Sequence, residues 1–288
     1  MPAIFGPAGC SLQYMELGYK GSLDIPKITK LVGLDAFEYQ CGRGVNIGEE
    51  KARALGKLAL EEGIKLSLHA PYYISMSSVE EEKRLNSINY ILSSAKAVDF
   101  MGGNRIIVHT GSCGKLPRDE ALKLAMNTME LSLKALSDAG LSHIHICPET
   151  MGKVNQLGTL DEVLELCKID ERLIPCIDFG HLNARDLGVL KTKEDFEKIF
   201  LSIQNALGTD RLKTFHSHFS KIEYTTGGEK RHLTFDDNVY GPDFEPVMEL
   251  TYKYGCSPVF ICESAGTQAE DAKQMKDYYL SVAKGVTK

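Results

Sequence analysis

Six apolar runs in this chain end in histidine, aspartate or glutamate, and those endings are where its chemistry is written. The clearest is P-C-I-D-F-G-H-L-N-A-R-D at 175–186. There Cys176 and Ile177 close a buried strand and deliver Asp178 and, three residues on, His181 into the loop that follows. A carboxylate and an imidazole presented together are poor core residues and good metal ligands. The other runs end at His69, at His109, at Glu149, at His216 with His218, and at Glu263. A lone strand-end histidine is ordinarily a hydrogen-bonded structural residue, but coincidence does not explain six strand ends in a row. Neutral imidazoles with bridging carboxylates suit Zn2+, or Mn2+ where carboxylates dominate, and no cysteine stands at these ends to suggest a thiolate site. So many donors exceed what one ion takes, so a dinuclear or larger centre is expected, with Glu149 as its bridge.

Residues so scattered need a scaffold that gathers strand ends, and the chain reads as strand then helix, repeated. Strands are expected at Ala3–Gly6, Asp35–Gln40, Ile64–His69, Arg105–His109, His143–Glu149, Leu173–Asp178, Arg211–His218 and Pro258–Glu263. Helices are expected at Leu23–Leu31, Glu49–Glu62, Val79–Asp99, Arg118–Ala139, Thr159–Lys168, Thr192–Leu207, Phe244–Tyr254 and Thr267–Lys284, with a long polar loop after the seventh strand. Eight such units in 288 residues fit a single α/β domain over 1–288, a (β/α)8 TIM barrel whose active site lies at the C-terminal ends of the strands. The alternative, a doubly wound open sheet, lacks a Gly-rich phosphate loop after its first strand. His143 and His145 alternate with Ile144 and Ile146, below Glu149, and read as core hydrogen-bonding residues; His218 reads as a partner of a ligand or an alternative ligand.

Composition sets the outer limits. A net charge of −6 excludes a wholly basic nucleic-acid binder, though not a local basic face. Arg43, Lys115, Arg118, Lys153, Arg185, Lys221, Lys230 and Arg231 fall in loops at the catalytic end, where they suit a DNA backbone or a phosphorylated sugar. The eight cysteines form no C-x-x-C pair and read as reduced core thiols. With no long apolar run and no leader-like start, a cytoplasmic monomer with no membrane partner is expected.

The motifs H-A-P-Y at 69–72, H-T-G-S at 109–112, P-E-T-M-G at 148–152, I-D-F-G-H at 177–181, His216 followed by Lys221, and I-C-E at 261–263 resemble, in order and spacing, the endonuclease IV family of apurinic/apyrimidinic endonucleases. That family belongs to the xylose-isomerase-like barrel superfamily, and the resemblance spans nearly the whole chain. It implies a trinuclear zinc hydrolase that cleaves double-stranded DNA on the 5′ side of an abasic nucleotide. By position, His69 and His109 would hold the first zinc. Glu149 would bridge to a second, held also by Asp178, His216 and Glu263, and His181 with His232 would hold the third. Glu149 and Glu263 are the residues expected to carry the chemistry, Tyr72 and Arg43 to enter the DNA stack, and Lys221 and Arg231 to contact substrate. The family's D-x-H is here Glu229-Lys230-Arg231-His232, with Lys230 at the Asp position and Glu229 able to reach the metal only after a loop shift. The G-E-G that usually follows is replaced by T-F-D-D-N-V-Y-G. The alternative is a sugar isomerase or epimerase of the same superfamily. There one divalent ion sits on Glu149, Asp178, His216 and Glu263, the two glutamates exchange protons with a carbon beside a carbonyl, and His181 and Arg231 bind hydroxyls of a small sugar or sugar phosphate.

Overall fold

The structure, a computed structural model, describes residues 2–285. Eight parallel strands make the barrel: β1 (Ile4–Pro7), β2 (Ala36–Gln40), β3 (Lys65–His69), β4 (Arg105–Val108), β5 (His145–Pro148), β6 (Cys176–Asp178), β7 (His216–Phe219) and β10 (Val259–Cys262). A hairpin of β8 (Ile222–Thr225) and β9 (Gly228–His232) is inserted before the last of them. The barrel strands form two four-stranded sheets, β1-β10-β7-β6 and β2-β3-β4-β5. Parallel bridges between Ala8 and Glu38 and between Glu149 and Cys176 close them into a ring.

Around the ring lie α1 (Leu12–Glu16), α2 (Ile25–Leu31), α3 (Glu49–Glu62), α4 (Glu81–Phe100), α5 (Arg118–Asp138), α6 (Leu160–Cys167), α7 (Phe179–Arg185), α8 (Lys193–Leu207), α9 (Thr209–Thr214), α10 (Glu245–Lys253) and α11 (Gln268–Ala283). Helices cover the outer faces of the strands, which is why runs such as Ile106–Val108 are apolar at every position and buried throughout. Among the described residues no helix is long and apolar enough to cross a membrane.

The chain departs from the sequence-based expectation at several places. Residues 209–214 form α9 rather than the start of a strand, so β7 begins at His216 and runs one residue beyond His218. The segment after β6 is not a loop: Asp178 caps α7, its Oδ1 accepting from His181 N–H at 2.7 Å, and every residue of that helix is buried. The long polar loop contains the β8–β9 hairpin. His143 precedes β5 and is exposed beside Asp99 at 2.8 Å, whereas His145 opens the strand half-buried and pairs with the carbonyl of Arg172.

Two arginines hold the loop that follows β5. Arg118 pairs both nitrogens of one edge with Glu162, at 2.7 and 2.8 Å, and donates also to the carbonyls of Val154 and Gln156. Arg185 reaches the same loop from α7, donating to the carbonyls of Met151, Lys153 and Val154. Glu162 completes a capping box with Thr159 and accepts from Gly158 N–H at 2.8 Å. Burial works against the charge of Glu162, but Arg118 and the two backbone N–H groups bring its carboxyl down to about 2. Its stabilisation is therefore present above the ordinary glutamate range and fades as pH falls from 4.5 toward 2. Glu162→Ala is expected to cost about 2 kcal/mol in urea unfolding near neutral pH, and less in acid. An equal cost at both ends of that range would refute this account.

Candidate metal centre

Glu149, immediately after β5, is wholly buried, and four imidazoles close around its carboxylate. His69 Nε2 and His109 Nε2 lie 3.5 and 3.2 Å from Oε2, and His181 Nδ1 and His218 Nδ1 lie 3.3 and 3.0 Å from Oε1. Asp178 and Glu263 complete the circle: Asp178 Oδ2 is 3.3 Å from His181 Nδ1, and Glu263 Oε1 is 3.4 Å from His218 Nδ1. Among the described residues four sets of donors have ligand atoms within 4.8 Å of one another: His69, His109 and Glu149; Glu149, Asp178, His218 and Glu263; His181, His232 and Glu263; and, reaching one pleat deeper, Cys176, His216 and His218. Glu149 belongs to two sets and Glu263 to two.

The donors are aimed. His69 Nδ1 is bound to the carbonyl of Ala70 at 2.9 Å and His181 Nδ1 to that of Thr150 at 2.9 Å, so both donate from Nδ1 and turn Nε2 toward the site as the nitrogen that would meet a cation. His232 is held likewise, Nδ1 to Ser220 Oγ at 2.8 Å. Glu149 Oε2 and Asp178 Oδ2 are buried and take no hydrogen bond. Buried carboxylate oxygens without a donor are costly, and a divalent cation is the partner this donor set fits.

Electrostatics agrees with the geometry. Burial opposes the charge of Glu149, but His218, His109 and His181 hold its carboxyl well below the usual range. Burial likewise disfavours the cations of His181 and His218. Asp178 and Glu149 nevertheless lift His181 well above ordinary imidazole, and Cys176, Glu263, Glu38 and Glu149 lift His218. His109 moves the other way, its imidazolium disfavoured by burial and by the charges of His69 and His181. Protons on two imidazoles thus hold the place that cation charge would take.

The third set solves a sequence problem. Glu229 and His232 are three apart, which in a regular strand puts them on opposite faces. The β8–β9 register shifts between Glu223 and Tyr224, pairing Glu223 with Arg231 and Tyr224 with Glu229, so Lys230 is the extra residue of a β-bulge. Glu229 Oε2 accordingly lies 3.4 Å from His181 Nε2 and its Oε1 3.9 Å from His232 Nε2, while Lys230 turns away to Glu223 at 2.6 Å. Gly152 makes room, since a Cβ there would stand 2.6 Å from Glu229 Cβ and 2.9 Å from His181 Cδ2.

Not every expected residue reaches the centre. His216 was expected with Asp178 and Glu263, but it lies level with Cys176 and Val259, one pleat deeper, and His218 stands level with Asp178. His216 instead pairs with Glu38 at 3.1 Å, and burial lowers its imidazole to about 4. Tyr72 sits at the mouth, ring centroids 5.4 Å from His69 and 5.3 Å from His109, and is 59% exposed. Arg43 is exposed in the neighbouring loop, beside Gly42, on which the Tyr72 ring packs. Of the basic residues, Arg118 and Arg185 serve the loop after β5, Lys230 and Arg231 pair with Glu223, and Lys221 is held by the carbonyl of Asp237 and by Asp243. Arg43, Lys115 and Lys153 stay exposed. A cavity of about 690 Å³ beside Lys221 and Tyr224 contains none of the clustered donors.

Residues 26–280 match the Xylose isomerase-like TIM barrel family. The chain belongs to that family. An uncharacterized protein of Methanocaldococcus jannaschii is 32% identical over 275 residues, covering 96% of each chain. A probable endonuclease 4 of Aster yellows witches'-broom phytoplasma is 27% identical over 224 residues, 74% of this chain and 72% of that one; one of Aquifex aeolicus is 28% identical over 57% of each. Two solved structures of similar fold are a D-tagatose 3-epimerase-like protein (TM-score 0.72, 20% identity, 99% and 100% covered) and endonuclease IV of Thermus thermophilus (TM-score 0.66, 19% identity, 98% and 99% covered). The fold is thus shared by an endonuclease IV and by a D-tagatose 3-epimerase-like protein.

Two outcomes are expected of chelator-stripped protein. Because the imidazoles of His181 and His218 are drawn above the ordinary imidazole range, Zn2+ uptake should release protons near neutral pH and should weaken as pH falls. Calorimetry in two buffers of different ionisation heat measures this, and buffer-independent heats would contradict it. Glu229→Gln should weaken one cation of the set by about 10- to 100-fold and spare the rest; loss of every cation, or of none, would show that Glu229 is not a separate donor.

Proposed function

We propose that the chain is a zinc-dependent phosphodiesterase of the endonuclease IV type, hydrolysing DNA on the 5′ side of abasic nucleotides. The observation that carries this reading is the sharing of Glu149 and Glu263 among three adjacent donor sets. Bound divalent ions would supply Lewis-acid charge for a phosphoryl group and lower the pKa of water at the site. His69 and His109 with Glu149 would hold the first ion, Asp178, His218 and Glu263 with Glu149 the second, and His181, His232 and Glu229 with Glu263 the third. Tyr72 covers the His69–His109 side; burial and then Glu263 push its phenol up to about 12, so it stays neutral and presents a ring and an O–H to a base or sugar. Arg43, Lys115 and Lys153, all in loops at the same end of the barrel, remain available for phosphates.

A second reading, a sugar epimerase with one ion on Glu149, Asp178, His218 and Glu263, is favoured by the spent charges. Arg118, Arg185, Lys221, Lys230 and Arg231 are all engaged within the protein, which thins the basic face a duplex would meet. In that reading Glu149 and Glu263 pass a proton from one face of a carbon beside a carbonyl to the other. It leaves His69 and His109 without a role.

The deciding assay is incision of a duplex carrying one abasic analogue by zinc-loaded protein. A nick 5′ to the lesion is expected, and His109→Ala should slow it by at least about 100-fold. An intact duplex at every metal loading, with ketoses interconverted and His109→Ala without effect on that, would sink the phosphodiesterase reading in favour of the epimerase.

A further inference from the structure

Glu38, in the middle of β2, is a fully buried carboxylate to which neither the strand-end pattern nor the family resemblance assigns a role. It stands level with Ser67 on β3, one pleat below the Gln40–His69 pair, and so directly beneath the metal centre. Both of its oxygens are engaged. Oε2 accepts from Ser67 Oγ at 2.9 Å and is bound to His216 Nε2 at 3.1 Å; Oε1 accepts from Gln40 Nε2 at 3.3 Å and lies 3.0 Å from His218 Nε2 in a bent contact.

We propose that Glu38 is a positioning residue of the metal centre: by holding His218 Nε2 it makes Nδ1 the atom offered to Glu149, Asp178 and Glu263. An ionised carboxylate only accepts, so each group facing it must turn an N–H or O–H toward it. Without a cation His218 Nδ1 is hydrogen-bonded to Glu149 Oε1 at 3.0 Å and lies 3.4 Å from Glu263, while Nε2 faces Glu38 Oε1 and has no other partner; a cation that takes Nδ1 displaces the proton there and leaves the ring's remaining proton on Nε2, toward Glu38. A bare Nδ1 and two carboxylate oxygens at that spacing need either a proton or a cation among them, and Glu38 keeps a proton on the far nitrogen when the cation is there. His216 acts as a strut, its Nε2 on Glu38 and its Nδ1 buried without a hydrogen-bond partner. This is the arrangement in which a carboxylate behind a histidine fixes the ligating nitrogen.

The proposal rests on the divalent-cation reading of the centre and not on which bond is cleaved. Glu38→Gln exchanges one acceptor oxygen for an NH2 group, so the side chain can no longer accept from Ser67 and His216 on one side and from Gln40 and His218 on the other. Cobalt titration of chelator-stripped wild type and Glu38→Gln, followed by visible absorption, should show the central ion weakened by about 10- to 100-fold with its band altered, the other ions bound as before. Equal affinity and identical spectra overturn the proposal. Should the variant fail to fold, cadmium-113 to nitrogen-15 coupling in the wild type decides: coupling through His218 Nδ1 supports it, and coupling through Nε2, or none at His218 while His69 couples, overturns it. A wild type that takes up no divalent ion would defeat the metal reading itself, a result distinct from either.

Discussion

The structure is governed by the need to neutralise Glu149. A carboxylate with no exposed surface, four imidazoles around it and one oxygen lacking any hydrogen bond is not a low-energy arrangement by itself. Without a cation the only available compensation is to protonate imidazoles, which is why His181 and His218 are drawn upward although burial works against their charge. With a cation the same atoms become a ligand set. The barrel makes this tolerable because strands from every side deliver one polar residue each to a common point, and the helices behind them supply the apolar packing that the site itself lacks.

Most of the barrel was legible in the sequence, because a buried parallel strand is a short apolar run and its end is marked by the first polar residue. His69, His109, Glu149, Asp178 and Glu263 were legible for the same reason: each is a donor where the apolar run stops. The choice between His216 and His218 was not, since residues two apart share a face and only the register against Asp178 and Ile261 shows which one stands level with the site. A strand start placed at Arg211, in what is α9, concealed that register. Glu38 was missed because it lies inside its run rather than at the end, although the pattern Ala36, Glu38, Gln40 on one face was available to be read. A glutamate on the inner face of a central strand is itself a sign of a partner charge.

Glu229 shows why motif spacing and geometry must be kept apart. Counting residues puts Lys230 where the family has its carboxylate, and by that count the third donor set is broken. Side-chain parity, however, is a property of the hydrogen-bonded ladder and not of the residue count. One added residue inverts the parity of everything before it, and one bulge restores it. The bulge ejects Lys230 toward Glu223 and returns Glu229 to the face of His232. The hairpin is anchored for this by Glu229 N–H to the carbonyl of Gly152 at 3.0 Å and by the bridge between Lys153 and Gly228, on a loop that Arg118 and Arg185 already clamp. Residues that looked like a phosphate-binding face hold the third carboxylate in place.

That reassignment moves the question of substrate from the surface to the centre. The protein carries a net charge of −6, and of the exposed basic residues expected at the catalytic end Lys230 and Arg231 are already paired with Glu223, leaving Arg43, Lys115 and Lys153. Attraction for a phosphodiester must then come chiefly from the site. Glu149, Asp178, Glu229 and Glu263 contribute four negative charges. Three divalent ions would outweigh them and leave the centre positive, even with the charge of Glu38 beneath it. One divalent ion would leave it negative. A positive centre draws a phosphate anion and stabilises the extra charge that develops on it; a negative one repels phosphate and suits an uncharged sugar whose carbon acid must lose a proton to a carboxylate. Occupancy and substrate are therefore one question. The two donor sets that flank the central one, built on His69 with His109 and on His181 with His232, are the part of the structure that tilts the answer toward phosphate.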